Sequence, residues 1–544
     1  MSDSSSTSSQ TAHSAAGEFL AAIIARLEPL QLDFNRAGWD ASVSGAEADA
    51  SRRAGFDTQI RSLLSDAASL RAARAHRVAL AGSDARLDRQ LEVLEYTLAA
   101  NQMPRATIDR LVGLETRLDA IFNNFRATTK AGPMSDNALR TVLQASDDVV
   151  ERREAWEASK QVGAEVAPQL LELVRLRTVA ARELGYRDYY AMSLVLDELD
   201  EQELFALLDR VETGTSEPFR VYRAVLDARL CARFGITPAE VRPWHLSDPF
   251  FQEAPATSAG LDDHFSTRDP VEIARRFFGG IGLDLGDLIE RADLYEKPGK
   301  SQHAFCVSID READVRVLCN LRNNEFWMGV LLHELGHAVY DRAIDRSMPW
   351  LLRSPAHTLT TEAGAMLFGR LSRNGAWLAR WAGLEPSEAA RIGAALARAT
   401  REQLLVMTRW CLVMCHMERA LYANPDQDLT ALWWDLVERF QRVRRPQGRV
   451  NPDWASKIHF SLAPVYYHNY LLGEMMASQL QRMLVRESGG SATPDAWMGD
   501  SRTGAALIER VYAPGKSLDW RALIQRATGT PLEADAFVAE LCAE

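Results

Sequence analysis

The chain has few cysteines and no long apolar run. Only six cysteines occur among 544 residues, and no two of them form a CxxC pair. This excludes a disulfide framework and gives no sign of a cysteine-ligated metal. No stretch of 18 apolar residues is present, so the sequence predicts no membrane-spanning helix. The first 14 residues hold neither Lys nor Arg, although a secretory signal begins with basic residues. Scattered thiols suit a reducing compartment, so we predict a cytoplasmic protein.

Positive charge is also in short supply. Lys and Arg number 62 against 74 Asp and Glu, which gives a net charge of -12. Binding to phosphate backbones needs a basic surface, so nucleic acid is not the expected partner. The composition gives no indication of the oligomeric state.

Most of the sequence shows the periodicity of α-helices. The chain contains only 21 prolines and 32 glycines, and apolar residues recur at helical spacing over long stretches. Alternating apolar runs are confined to 304–307 and 315–319. We therefore predict a mainly α-helical fold with at most a small β-sheet. The first 15 residues are predicted to be a disordered tail, and residues 16–544 a single domain with two helical subdomains.

Residues 333–337 read His-Glu-Leu-Gly-His inside an apolar helical stretch. His333 and His337 lie one turn apart, so both imidazoles project from one face, about 6 Å apart along the axis. This spacing suits two ligands of one tetrahedral zinc ion. Glu334 lies about 100° round the helix, where it can act as a general base on water. The alternative is a pair of structural histidines, whose burial without partners would be costly.

The helix itself offers no convincing third ligand. A histidine six residues after His337 would indicate a metzincin, but that position is Ala343. Asp345 lies about 18 Å along the axis from His333 and cannot share its ion. Asp341 would also point past the metal.

Glu362 is the predicted third zinc ligand. It stands 25 residues after His337 in the first turn of a second helical segment, and a proline-containing loop allows the two helices to pack antiparallel. His, His and Glu in this arrangement form the gluzincin pattern. His357 is the competing ligand, and the alternative for Glu362 is an acidic residue favoured by the helix macrodipole.

These motifs resemble the angiotensin-converting enzyme family of zinc peptidyl dipeptidases, with the thimet oligopeptidase and oligoendopeptidase families as relatives. The resemblance runs from about Ala16 to the end of the chain, and it includes the segments 37–40 and 184–186. It implies a large, helical, two-lobed peptidase around a deep central cleft. It also implies one Zn²⁺ per chain and oligopeptide substrates.

The resemblance extends to residues that bind the substrate. The Gln-His-Ala-Phe segment is similar to a family edge that contacts the substrate backbone, which gives that role to His303 and Ala304. By the same resemblance, Lys457 and Gln252 bind the C-terminal carboxylate. His459 hydrogen-bonds the peptide carbonyl, a role that a neutral imidazole can fill.

Two tyrosines three residues apart follow the histidine in the family. Tyr467 and Tyr470 have that spacing, with one extra residue after His459. In this register Tyr467 helps to hold the carboxylate and Tyr470 stabilises the tetrahedral intermediate. In the register without the insertion, Tyr466 takes the first role and Asn469 the second position.

Three positions depart from the family. Met366 replaces an Asp four residues after the zinc glutamate, so a histidine ligand must be oriented by another residue, and Asp341 is our prediction. Asn469 and Val437 stand where chloride-binding arginines would lie. Chloride activation is therefore not expected.

The sequence thus predicts a zinc metallopeptidase that releases C-terminal dipeptides, with Glu334 assisting the attack of water. An endo-acting oligopeptidase is the alternative, because it shares the metal site but does not need residues that bind the C-terminal carboxylate of the substrate. A non-catalytic zinc-binding scaffold is a lesser alternative. Structural zinc sites usually have four protein ligands, and only three are found here.

Overall fold

The computed structural model describes residues 3–80, 82–255, 261–490 and 494–543, with side chains from residue 10 onward. The predicted mainly α-helical fold is confirmed. The α-helices in chain order are α1 (Asp3–Ser44), α2 (Glu47–Leu64), α3 (Ala67–Leu80), α4 (Ala85–Ala99), α5 (Arg105–Asn124), α6 (Asp136–Ala145), α7 (Val149–Ser159), α8 (Gln161–Glu183), α9 (Tyr189–Leu196), α10 (Glu201–Gly214), α11 (Ser216–Phe234), α12 (Leu261–Phe265), α13 (Pro270–Gly280), α14 (Leu288–Arg291), α15 (Glu325–Ala343), α16 (Thr358–Gly369), α17 (Gly375–Trp381), α18 (Pro386–Ala423), α19 (Leu429–Gln441), α20 (His459–Leu462), α21 (His468–Glu487), α22 (Arg502–Leu507), α23 (Trp520–Thr528) and α24 (Asp535–Cys542).

Four short strands form two antiparallel hairpins. They are β1 (Ala127–Thr129) with β2 (Gly132–Met134), and β3 (Phe305–Ser308) with β4 (Val315–Leu318). In the second hairpin, Phe305 faces Leu318 and Ser308 faces Val315. Both strands of that hairpin match the predicted positions to within one residue, whereas the first hairpin was not predicted.

The chain divides into two compact units. Unit 1 comprises residues 1–104, 258–397 and 472–536. Its α1, α2, α3 and α4 share an apolar core, and the long helix α15 packs against α16, α13 and the β3–β4 hairpin. Helix α1 takes in positions 3–15, for which composition predicts a disordered tail. The domain boundary at residue 16 stays a prediction.

Unit 2 comprises residues 105–257, 398–471 and 537–544. Here α8 packs against α5, and α7 against α6. The buried Arg152 ties α7 to a distant loop, because its guanidinium donates to the carbonyls of Trp244 and Leu246 at 2.8 and 2.9 Å. A buried guanidinium satisfied by carbonyls fixes this loop, whose regular structure is a single 3-10 turn at Pro243–His245.

Across the stretches that the structure describes, no helix has both the length and the apolar character needed to cross a bilayer.

Candidate active site

Helix α15 supplies two of the predicted metal ligands. The Asn324 side chain caps it by accepting a hydrogen bond from the Trp327 N–H at 2.9 Å, so the helix begins immediately before its apolar stretch. His333 and His337 follow on one face of the helix, and Glu334 is buried beside them at 7% exposure. The apolar character of α15 therefore buries Glu334 and leaves the His333 and His337 side chains partly exposed, at 29% and 16%.

Helix α16 supplies the third predicted metal ligand. His357 is its N-cap, with Nδ1 accepting a hydrogen bond from the Leu359 N–H at 3.0 Å. The alternative metal ligand is thus used to start the helix. Glu362 lies in the second turn, buried at 5% exposure.

The three donor groups converge. The Nε2 atoms of His333 and His337 are 3.2 Å apart, and Glu362 Oε2 lies 3.7 and 3.9 Å from them. Bonds of about 2.0–2.1 Å to a tetrahedral zinc ion place ligand atoms about 3.3 Å apart. Two imidazoles and one carboxylate in this geometry fit zinc. They leave a fourth position for water or substrate.

The electrostatics also suit a cation. Burial lowers the pKa of His333 to about 4 and that of His337 well below its usual range, so both are neutral donors at pH 7. Burial, and secondarily the Glu362 carboxylate, raises the pKa of Glu334 to about 8. Metals bind neutral imidazoles and ionised carboxylates, and a cation here would favour those forms.

The residue that orients His337 is Thr361, not the predicted Asp341. The His337 Nδ1 atom lies 2.7 Å from the Thr361 hydroxyl, so Nδ1–H donates to it when Nε2 is free to bind a metal. Among the described residues no hydrogen bond joins Asp341 to His337, and Asp341 sits one turn further along α15. Nothing in the sequence singles out Thr361 beyond its position next to Glu362.

Glycines allow the metal-bearing helices to approach closely. A Cβ on Gly336 of α15 would lie 2.7 Å from the Ala365 Cα of α16. A Cβ on Gly473 of α21 would lie 2.9 Å from the Glu362 Cβ. Both neighbouring atoms are rigid, so neither position has room for a side chain.

The β3–β4 hairpin packs against α15 in unit 1. His303 and Ala304 immediately precede β3, with the His303 side chain exposed. They stand just before this strand, at the segment to which the family resemblance assigns a backbone contact with substrate.

Unit 2 brings the predicted carboxylate-binding residues together. Lys457 Nζ donates to Gln252 Oε1 at 2.8 Å, although the two residues are far apart in sequence. Asp248 accepts the backbone N–H of Gln252 at 3.1 Å and so fixes the loop. Burial, and then repulsion by Arg140, lowers the pKa of Lys457 to about 8. Among the described residues no carboxylate lies within ion-pair distance of this ammonium, although Asp248, Asp136 and Glu253 act on it from farther away.

The aromatic residues of unit 2 form a cluster. The rings of Tyr467 and His459 lie 4.7 Å apart, and that of Tyr470 lies 5.4 Å from Tyr467. The Trp410 Nε1–H donates to the Tyr467 hydroxyl at 3.1 Å. The centre of the Tyr466 ring lies 5.2 Å from that of Tyr470, so Tyr466 belongs to the same cluster. Lys457 Nζ lies 5.9 Å from the centre of the Tyr467 ring. The choice between the two registers stays a prediction.

Two buried ionisable residues that the sequence did not single out hold the segment between His459 and Tyr467. Arg177 donates to the Ser461 carbonyl at 2.8 Å. Glu418 Oε1 accepts the Val465 N–H at 2.8 Å, where Val465 has a φ of 56°. A β-branched residue in the left-handed region is unfavourable, so Glu418 stabilises a strained turn. In the sequence, the one sign of their role is that Arg177 and Glu418 are charged residues within apolar helical stretches.

A known protein family matches nearly the whole chain. A family model described as angiotensin-converting enzyme matches residues 10–221 and 252–539. A search of curated proteins gives no match. The match covers the three metal donors, Glu334 and the unit 2 cluster alike. With a His-His-Glu donor set of zinc geometry in unit 1, the chain belongs to the angiotensin-converting enzyme family of zinc metallopeptidases.

Proposed function

We propose that this metallopeptidase releases dipeptides from the free C-termini of oligopeptides. The observation that carries the proposal is the hydrogen bond of 2.8 Å between Lys457 and Gln252, next to Tyr467. A buried ammonium with an amide and a phenol beside it is suited to binding a carboxylate. An enzyme that cuts internal bonds without reference to a terminus has no need of such a site.

In this proposal the metal is held by His333, His337 and Glu362. A bound zinc ion supplies Lewis-acid chemistry, polarising a carbonyl and making water acidic at neutral pH. Glu334 takes the proton from the attacking water and passes it to the leaving amine.

The remaining residues bind and orient the substrate. Tyr470 and His459 donate hydrogen bonds to the oxyanion of the tetrahedral intermediate. Gln252, Lys457 and Tyr467 hold the terminal carboxylate, which fixes the scissile bond at a constant distance from it. His303 and the backbone of Ala304 align the peptide. We further propose a cytoplasmic location, because all six cysteines are free thiols.

The test compares matched peptides with free and amidated C-termini. Lys457→Met should raise KM for the free acid by about tenfold or more, since charge-assisted hydrogen bonds contribute about 1.5–3 kcal/mol. Lys130→Met removes an exposed lysine of unit 2 and should change neither substrate's KM. Wild-type protein that cleaves both peptides equally, at internal bonds, would establish the endo-acting alternative instead.

A further inference from the structure

Trp410 lies within the aromatic cluster of unit 2. It belongs to α18, and its side chain is completely buried. The ring of Phe250 lies 5.3 Å from the Trp410 ring, centre to centre, and that of Trp433 lies 5.9 Å away. A large ring that is packed among other rings in a close-packed interior has little freedom to turn. The indole N–H of Trp410 therefore has a fixed direction.

The hydrogen bond between Trp410 and Tyr467 can form in one direction only. An indole nitrogen donates and does not accept, whereas a phenol hydroxyl can do both. The Trp410 Nε1–H therefore donates to the Tyr467 oxygen, at 3.1 Å. The planes of the two rings are nearly perpendicular, at 88°. Because the Tyr467 hydroxyl accepts from Trp410, its own proton is directed to a different partner.

Tyr467 keeps this proton over the whole range in which the protein would work. Burial raises the pKa of Tyr467 well above its usual range, although the hydrogen bond from Trp410 opposes this rise. A protonated phenol whose oxygen already accepts a hydrogen bond is free to donate one. An ionised carboxylate can only accept. Trp410 thus gives the Tyr467 hydroxyl the polarity that a carboxylate ligand requires.

The same indole lies beside the other residues proposed to bind the carboxylate. Lys457 Nζ is 5.3 Å from the centre of the Trp410 ring and 5.3 Å from that of Phe250. Aromatic rings attract an ammonium group within about 6 Å. Phe250 stands two residues before Gln252, whose side chain accepts a hydrogen bond from Lys457. The indole is therefore next to both the ammonium and the loop that carries Gln252.

We propose that Trp410 is a positioning residue for the C-terminal carboxylate of the substrate. Its N–H fixes the Tyr467 hydroxyl as a donor toward the carboxylate, and its ring supports the Lys457 ammonium. The proposal rests on the proposed function, because the ligand is the terminus of a peptide substrate. Trp410 acts through its neighbours and does not itself touch the substrate.

The test is a double-mutant cycle on zinc-loaded, full-length protein with a free-acid peptide as the substrate. Trp410→Phe keeps an aromatic ring and removes the N–H. It should raise KM about two- to tenfold, the range for one hydrogen bond, and leave kcat unchanged. Tyr467→Phe should raise KM about tenfold or more. In the Tyr467→Phe background, Trp410→Phe should have no further effect, because the acceptor of its hydrogen bond is already absent.

Trp434→Phe is the matched control. The Trp434 side chain is also buried in unit 2, and its Nε1–H has no hydrogen-bond partner among the described residues. The same chemical change should therefore leave KM and kcat as in the wild type. The amidated peptide, used as a competitive inhibitor, should bind equally well to all these variants, since it has no terminal carboxylate.

Trp410→His provides a second variant if Trp410→Phe fails to fold. It keeps a nitrogen at the ε position of a five-membered ring, so it can restore a donor to the Tyr467 hydroxyl. Its KM for the free acid should stay below that of Tyr467→Phe. A KM as high as that of Tyr467→Phe would overturn the proposal.

The outcomes separate this proposal from the proposed function. An unchanged KM in Trp410→Phe, or effects of Trp410→Phe and Tyr467→Phe that simply multiply, would show that Trp410 does not act through the hydroxyl. Weaker binding of the amide in step with the free acid would indicate a general distortion of the site and overturn the proposal as well. In each of these cases a wild type that still prefers the free acid upholds the proposed function.

Two further results involve the wild type and the choice of tyrosine. No effect of Tyr467→Phe, in an enzyme that prefers free acids, would assign the donor role to Tyr466 and overturn the role of Trp410. Equal binding of free acid and amide by the wild type would refute the carboxylate site itself, and with it the positioning of that site by Trp410.

Discussion

The imidazole Nε2 atoms of His333 and His337 lie 3.2 Å apart. At neutral pH burial keeps both rings uncharged, and His337 Nε2 has a lone pair to offer when its Nδ1–H donates to Thr361. Two neutral imidazole nitrogens at this separation match the spacing of two ligands of one zinc ion. The geometry of these two residues is thus the strongest local argument for a metal centre.

Glu334 should be needed for turnover but not for metal binding. Its carboxylate is buried beside the donors, yet it is not one of the three convergent groups. Glu334→Gln should keep one zinc per chain by metal analysis and lose about 10²–10⁴-fold in kcat, the usual contribution of a general base. Glu388→Gln, at an exposed ion pair, is the matched control. Full activity in Glu334→Gln would contradict the assigned role.

Lys457 should give the enzyme a pH-dependent affinity for free carboxylates. Burial lowers its pKa to about 8, so the ammonium is charged at pH 7 and loses its proton as the pH rises through 8. KM for a free-acid peptide should therefore increase above about pH 8, and the affinity for the amidated peptide, measured as competitive inhibition, should not change. Parallel profiles for the two peptides would show that Lys457 does not contact the carboxylate.

For some residues of the site, sequence spacing alone was sufficient for a prediction. His333, His337 and Glu334 form a local pattern whose chemistry follows from helix geometry, and Glu362 follows from the need for a third ligand. Thr361 could not be predicted, because a single hydroxyl has no spacing signature. The choice of Asp341 was wrong because the His337 Nδ1 atom is bound by the Thr361 hydroxyl instead.

The close packing of α15 on α16 sets the positions of the metal donors. Gly336→Ala would bring a methyl group 2.7 Å from a backbone atom of Ala365. The helices must then separate, at a cost of about 1–3 kcal/mol in unfolding free energy, and zinc affinity should fall with it. Both can be measured by denaturation and by competition with a chelator.

Gly393 provides the control for this change. A Cβ there meets nothing within 4 Å, so Gly393→Ala in α18 should be neutral or should stabilise by about 0.5–1 kcal/mol. If Gly336→Ala behaves like Gly393→Ala, the contact between the two helices does not position the donors.

Glu418 should matter for the turn before Tyr467. Glu418→Gln retains an oxygen that can accept the Val465 N–H, whereas Glu418→Leu leaves that buried group without its acceptor. The Leu variant should lose about 1–3 kcal/mol more stability than the Gln variant, and it should raise KM because Tyr467 is displaced. Equal stability and KM in both variants would refute this role for Glu418.

The elements themselves were largely predictable. Periodic apolar residues identified the long helices, and two alternating runs identified β3 and β4. The β1–β2 hairpin was missed because its strands are three residues each and include Gly132 and Pro133, which are poor strand formers.

Two helical subdomains were predicted, but local patterns could not show which stretches of the chain make up each unit. Each unit combines three separate stretches of the chain, and such contacts depend on packing between distant segments. The three metal donors could be predicted together because all of them lie within residues 333–362. Gln252 and Lys457 were paired only through the family resemblance, since 205 residues separate them.

The central claim is that this family member cuts two residues from a free C-terminus. Mass spectrometry of the products from one peptide, offered to zinc-loaded protein as the free acid and as the amide, tests it most directly. We predict successive loss of C-terminal dipeptides from the free acid and little or no cleavage of the amide. Internal cuts that are indifferent to amidation would contradict the account and remove the assigned role of Lys457 and Gln252.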